Sequence, residues 1–327
     1  MKTLGWLLLL VLIGAVGLGF LVRMPFGPSA ETFVEIAPGT GTAAMAAQLE
    51  ARGIIRSRYA FDALKAVQGG RLQAGEYRFD HPAPLTEVYA RLVKGDVYTR
   101  SLVIPEGYNI FDIAQAVEAA GLGSSAEFLA AERQHVELIS QWSPQAESLE
   151  GYLFPDTYRF AHKTPPLQML STMVRRFRQM TTALGLTGDV ALTVTMASLI
   201  EKEVRVDSER PLVGGVFVNR LAQGIPLATD PTVIYAALLE NRYRGTIYAS
   251  DLQSDSAYNT YKHQGLPPGP ICSPGVASLK AAMSPAKTDY LYFVSDAAGH
   301  SRFASSLADH TRNVQAYRRA AQAGAQP

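Results

Sequence analysis

Thr195-Met196-Ala197-Ser198-Leu199-Ile200-Glu201-Lys202-Glu203 decides how this chain is read. An apolar run closes on two carboxylates. On a helix over 189–206, Leu192, Met196, Leu199 and Glu203 recur at spacings of four, three and four, which places them on one face. Glu203 therefore extends an apolar stripe, with Leu199 and Ile200 one turn behind it. Desolvation there raises a carboxyl pKa, and a carboxyl that keeps its proton near neutral pH can work as a general acid. Glu201 points about 200° away around the helix. Arg205 stands four residues beyond it as an ion-pair partner, whereas Glu203 has only Asp207 at that spacing. Glu203 is thus the expected acid and Glu201 a supporting carboxylate. The alternative is that both are solvated helix charges.

Four further segments follow within about seventy residues: Val216-Phe217-Val218-Asn219-Arg220-Leu221, Thr229-Asp230-Pro231-Thr232-Val233-Ile234-Tyr235, Tyr258-Asn259-Thr260-Tyr261 and Gly265-Leu266-Pro267-Pro268-Gly269-Pro270. Asn219, Thr229, Asp230, Thr232, Tyr235, Tyr258, Asn259, Thr260 and Tyr261 supply hydroxyl, amide and aromatic groups suited to a neutral sugar with acetamido substituents. Each alone is a weak signal. Pro231, Pro267 and Pro268 stiffen the loops that carry them. Glycosidases ordinarily use two carboxylates. A single acid suffices if it protonates the leaving oxygen and then takes a proton from the sugar's own 6-hydroxyl, which closes on C1 without water.

Other chemistries lack their signatures. The chain has no G-x-S-x-G elbow, no phosphate-binding glycine loop and no H-E-x-x-H. Its six histidines show no ligand spacing, so neither a metal nor a cofactor is expected. Cys272 is the one cysteine and reads as a packed thiol. A net charge of +1 with no Lys/Arg block gives no support to a nucleic-acid partner. With 47% apolar residues over 327 positions, the chain is long and apolar enough for two domains with a sizeable core.

The expected class is α+β, in this order: a stub over 1–3, a transmembrane anchor over 4–22, a Pro/Gly linker over 23–31, a small α+β module over 32–123, a mainly helical domain over 124–320 and a frayed tail over 321–327. Leu4 to Val22 is nineteen residues without a charge, long enough to cross a bilayer core. The segment after it, Arg23-Met24-Pro25-Phe26-Gly27-Pro28, offers no A-x-A-like cleavage site, which favours a retained anchor with the N-terminus inside. The module holds a weak strand-turn-helix repeat 68 residues apart, in which Gly39, Ala46, Glu50, Ala51 and Gly53 align with Gly107, Ala114, Glu118, Ala119 and Gly121. Strands over 74–79 and 102–104 and helices over 43–51, 85–93 and 110–120 complete it. Such units resemble LysM-type glycan-binding modules. Beyond it, helices are expected over 125–133, 167–184, 189–206, 211–223 and 232–240, and a buried strand over 290–294.

These motifs, with Glu150-Gly151-Tyr152-Leu153-Phe154-Pro155-Asp156-Thr157-Tyr158, resemble the MltG/YceG-like endolytic murein transglycosylases. In that family the second Glu of the E-K-E motif is catalytic, which falls on Glu203. The resemblance implies a lyase held by one span in the inner membrane, with its catalytic domain in the periplasm. It would cut nascent peptidoglycan between N-acetylmuramic acid and N-acetylglucosamine and leave 1,6-anhydromuramyl ends. It also implies penicillin-binding synthases and the divisome or elongasome as partners. Two rivals stay open: a hydrolase using Glu203 with Asp230, and a non-catalytic wall-binding scaffold that recruits synthases.

Overall fold

A computed structural model describes residues 2–296 and 299–324. The chain divides into two compact units, one formed by 1–101 with 159–163, the other by 102–158 with 164–327. The architecture is α+β, with many helices and three two-stranded sheets among the described residues.

The first unit contains α1 (Lys2–Arg23), β1 (Thr32–Ile36), α2 (Thr42–Ala51), α3 (Arg58–Gln68), β2 (Gly75–Phe79) and α4 (Leu85–Lys94). β1 and β2 pair antiparallel, with Val34 opposite Tyr77. Their inward residues join Leu49, Phe61, Tyr89 and Leu92 in one core. Helix α3 was not expected. Its signal is nonetheless present, since Ala60, Phe61 and Leu64 share a buried face and Ser57 caps the start by accepting from the Ala60 N–H at 3.3 Å. Leu21 and Val22 of α1 pack on this core. Several side chains of α1 lie outside the described residues. Among the described residues, no helix is long and apolar enough to cross a membrane.

The boundary between units falls at Ser101, not at residue 123. The second copy of the repeat, β3 (Arg100–Val103) and α5 (Ile110–Ala119), therefore lies largely in the second unit. The reason is local packing. α5 lies against α6 (Ser125–Gln134), and the Ile110 N–H at its start donates to the buried Glu150 at 3.0 Å. β3 pairs with β4 (Thr157–Phe160).

The rest of the second unit is α7 (Pro166–Ala183), α8 (Val190–Glu203), α9 (Arg210–Ala222), α10 (Asp230–Leu239), the short α11 (Ala249–Leu252), α12 (Val276–Met283), the hairpin β5 (Tyr292–Ser295) and β6 (Ser301–Ala304), and α13 (Leu307–Gly324). α8 packs on both α9 and α12. Gly215 makes the α9 contact with the following segment possible, because a Cβ there would overlap the Ala286 carbonyl. The strand expected over 290–294 forms as β5, but its residues are half-buried rather than buried, because it is half of a two-stranded hairpin. β6, α12 and α13 were not expected. α13 carries helix to Gly324, past the start of the expected frayed tail, and 325–327 lie outside the described residues.

Candidate active site

α8 ends at Glu203, three residues earlier than expected. Val204 is extended (φ −130°, ψ 142°) and buries its side chain with Leu199, Ile200, Phe217 and Leu227. Glu203 is therefore the last helical residue, half-buried at the negative end of the helix dipole. Behind it lie the buried Met196, Leu199 and Ile200. Leu192, expected on the same buried stripe, is 55% exposed, because the first turn of α8 reaches solvent. Burial, reinforced by the Asp230 charge and partly offset by Arg220, pushes the Glu203 carboxyl up to about 7. It is thus protonated below neutrality and titrates near it.

Glu201 meets a different environment. Its expected partner Arg205 is exposed, because the helix has stopped before that position. Instead Arg210 Nη1 reaches Glu201 Oε1 at 3.0 Å, and both side chains are only 6% exposed. Arg210 also donates to Ser278 Oγ at 2.5 Å and to Asp207 Oδ1 at 2.9 Å, and the Gly275 N–H donates to Glu201 Oε2 at 2.9 Å. The Glu106 carboxylate lies against Gly275, in the space that a Cβ there would enter. Glu106 is itself raised, first by desolvation and then by Glu201. Lys202 donates to the Gly107 carbonyl at 3.1 Å. A cleft of about 940 Å³ opens here, lined among others by Glu106, Glu201, Glu203, Arg205, Ser301 and Tyr317.

The sequence-predicted loop residues sort into three groups. Asp230 and Tyr261 come together with Glu203: the Tyr261 hydroxyl donates to Asp230 Oδ1 at 2.6 Å, and both groups act electrostatically on or with Glu203. Thr229, Thr232 and Thr260 are buried and knit the two loops together. Thr260 Oγ1 accepts from the Thr229 N–H at 3.1 Å and lies 2.9 Å from Thr232 Oγ1. Asn259 and Asn219 brace the scaffold. Asn259 Nδ2 donates to the carbonyls of Leu252 and Ser254 at 3.0 and 2.8 Å, and Asn219 Nδ2 to those of Thr288 and Tyr290 at 2.9 Å each.

Tyr235 and Tyr258 pack ring to ring at 5.1 Å, deeper in the unit. Tyr235 hydrogen-bonds Glu150, which burial pushes up to about 8 despite donation from the Ile110 and Gly151 N–H groups. Ser198 on α8 receives the Ile271 N–H at 3.1 Å, which fixes the end of the proline loop to the helix. Cys272 beside it is fully buried.

Two residues were missed. Glu106 follows a strand and showed no pattern. Arg220 lies in the Val216–Leu221 motif, and Arg210 and Arg220 are the two charged residues of α9. A charge on an otherwise apolar helix was the available signal.

A half-buried acid thus stands at a helix end, with braced polar and aromatic loops beside it. The chain belongs to the YceG-like family, which it matches over residues 34–316. It is 32% identical over 308 residues to an endolytic murein transglycosylase of Bacillus subtilis, covering 87% of this chain and 84% of that protein. It is 33% identical to an endolytic murein transglycosylase of Streptococcus pneumoniae, and there it spans only 55% of the longer protein. A crystal structure of a YceG-like protein from Listeria monocytogenes superposes with a TM-score of 0.57 at 30% identity, covering 87% of this chain and 99% of that one.

Proposed function

We propose that this protein is an endolytic lytic transglycosylase of peptidoglycan, with Glu203 as its single acid. The observation that carries the reading is a carboxyl at the end of α8 whose surroundings hold its proton up to about pH 7. A group titrating there can give a proton and take one back at neutral pH. Glu203 protonates the oxygen linking C1 of N-acetylmuramic acid to the next N-acetylglucosamine, and that C1–O bond breaks. The resulting carboxylate then accepts the proton of the muramyl 6-hydroxyl as its oxygen bonds to C1. The product is a 1,6-anhydro end, no water is consumed, and Glu203 is protonated again. Tyr261 and Asp230 border the acid, while Asn219, Asn259 and the three threonines keep the loops in place.

The uncharged stretch Leu4 to Val22 on α1 supports a single-span anchor, with the chain beyond α1 outside the cytoplasm. An enzyme so placed would cut strands as synthases extrude them, which makes penicillin-binding synthases and their divisome or elongasome assemblies the partners. The strand-helix units of the region over 32–123 resemble LysM-type modules. Membrane fractionation at alkaline pH tests the anchor: wild type stays with the membrane, and release into the soluble fraction would reject it.

Peptidoglycan incubated with wild type and with Glu203→Gln, followed by mass spectrometry of the muropeptides, tests the chemistry. Anhydro ends with wild type alone are expected. Water-added ends would move the reading to a two-carboxylate hydrolase. Equal cleavage by both proteins would remove Glu203 from the mechanism, and no cleavage by either would favour the scaffold.

A further inference from the structure

We propose that Arg205 is a specificity-determining residue: its guanidinium, exposed in the cleft beside the acid, binds a carboxylate of the peptide stem that the muramyl sugar carries. This rests on the reading of the protein as a peptidoglycan transglycosylase acting through Glu203, and it adds a part of the substrate beyond the sugars.

The geometry begins where α8 stops. Val204 is extended and buries its side chain, and Glu203 and Arg205 on either side of it both line the cleft of about 940 Å³. One extended residue between them sets their Cα atoms about 7 Å apart. A muramyl sugar with its C1 at Glu203 carries its stem on C3 of the same ring, so the stem leaves the site next to the acid. Had the helix continued, Arg205 would have stood one turn beyond Glu201; its early end leaves the side chain in solvent.

The other charges of the cleft are matched within the fold. Glu201 accepts from Arg210 at 3.0 Å and from the Gly275 N–H at 2.9 Å. Lys202 donates to the Gly107 carbonyl at 3.1 Å. The Val276 N–H donates to Glu106, and Asp296 Oδ2 lies 3.6 Å from Arg302 Nε. Four carboxylates, Glu106, Glu201, Glu203 and Asp296, line the same cleft as Arg205. Arg205 nonetheless makes no hydrogen bond or ion pair among the described residues, and it is exposed. A cation two residues from the acid therefore serves no contact inside the protein. The sugars of the strand are neutral, and a neutral donor meets their hydroxyls and amides. A guanidinium matches a carboxylate, which it grips through two parallel N–H bonds. In a peptidoglycan strand those carboxylates belong to the stems.

The test measures kcat and KM for anhydro-end release by the full chain in detergent, for wild type, Arg205→Gln and Arg205→Lys. Each is given strands with native stems and strands whose stem carboxylates have been amidated, which keeps the peptide and removes its charge. With native stems, Arg205→Gln is expected to raise KM by about tenfold or more with kcat unchanged. Amidation should raise the wild-type KM to a similar value and leave that of Arg205→Gln where it was, because either change removes the same contact. Arg205→Lys keeps the charge without the fork, so its KM should fall between the two and still respond to amidation. A wild-type KM indifferent to amidation would overturn the inference. So would an Arg205→Gln loss of equal size on both substrates, or a loss confined to kcat. Should Arg205→Gln fail to fold, wild type and Arg205→Lys decide: both must respond to amidation, and indifference in either overturns the inference. If wild type makes no anhydro ends from native strands, or Glu203→Gln remains active, the reading of Glu203 falls and takes this inference with it.

Discussion

The two sides of the last turn of α8 receive nearly the same sequence and meet opposite surroundings. On one side Glu201 is gripped by Arg210 and by a backbone N–H, with Ser278 completing the guanidinium's contacts. On the other side Glu203 has no direct cation among the described residues, an apolar helix behind it and the negative Asp230 beside it. The first carboxylate is tied to Arg210 and Gly275 and holds structure. The second is left able to bind and release a proton. Residue type does not distinguish them; the end of the helix and the neighbours on each side do.

The largest effect should come from the side with the free proton. Glu203→Gln is expected to lower the rate of anhydro-end formation by about 10²–10⁴-fold, with thermal stability at neutral pH little changed. Equal losses in Glu203→Gln and in a well-folded Glu201→Gln would erase the distinction between the two carboxylates. The next effect belongs to the other side and is structural. Arg210→Met leaves Glu201 buried without its cation and should cost about 3–5 kcal/mol in urea unfolding, much of it recovered in the double variant with Glu201→Gln. If the double variant unfolds as readily as the single one, the pair is not what holds that side.

Smaller effects sharpen the electrostatics. Asp230→Asn removes a charge that raises the Glu203 pKa, so the proton is lost at lower pH. The alkaline limb of the rate profile should move to acid by up to about one unit. A shift to alkali would contradict the sign. Tyr261→Phe removes one hydrogen bond to Asp230 and leaves the carboxylate in place, so a change of less than about tenfold in initial rate is expected. A loss as large as that of Glu203→Gln would make Tyr261 a participant in the chemistry.

Much of this comparison was legible in the sequence. Spacings of four and three placed Met196, Leu199 and Glu203 on one face, and their burial follows. The pattern did not show where α8 stops, because Val204 leaves the helix to bury its side chain, a tertiary gain that periodicity does not encode. That early end explains why Arg205 is not the partner of Glu201 and why Arg210, nine residues on, takes its place. The loop motifs marked the correct segments but not their roles. Asn219 and Asn259 look like sugar ligands in a string of letters, and both spend their amide hydrogens on backbone carbonyls. The unit boundary was hidden for a related reason: the second strand-turn-helix copy is anchored by Glu150, forty residues downstream of Ile110.

The most direct measurement is the pH dependence of the initial rate at which wild type releases anhydro ends. A proton donor held at about 7 predicts a rate sustained through mildly acidic pH that falls as pH rises through neutrality. A limb near 4.5, the ordinary glutamate value, would mean that the surroundings of Glu203 do not hold its proton, and the contrast with Glu201 would no longer explain the chemistry.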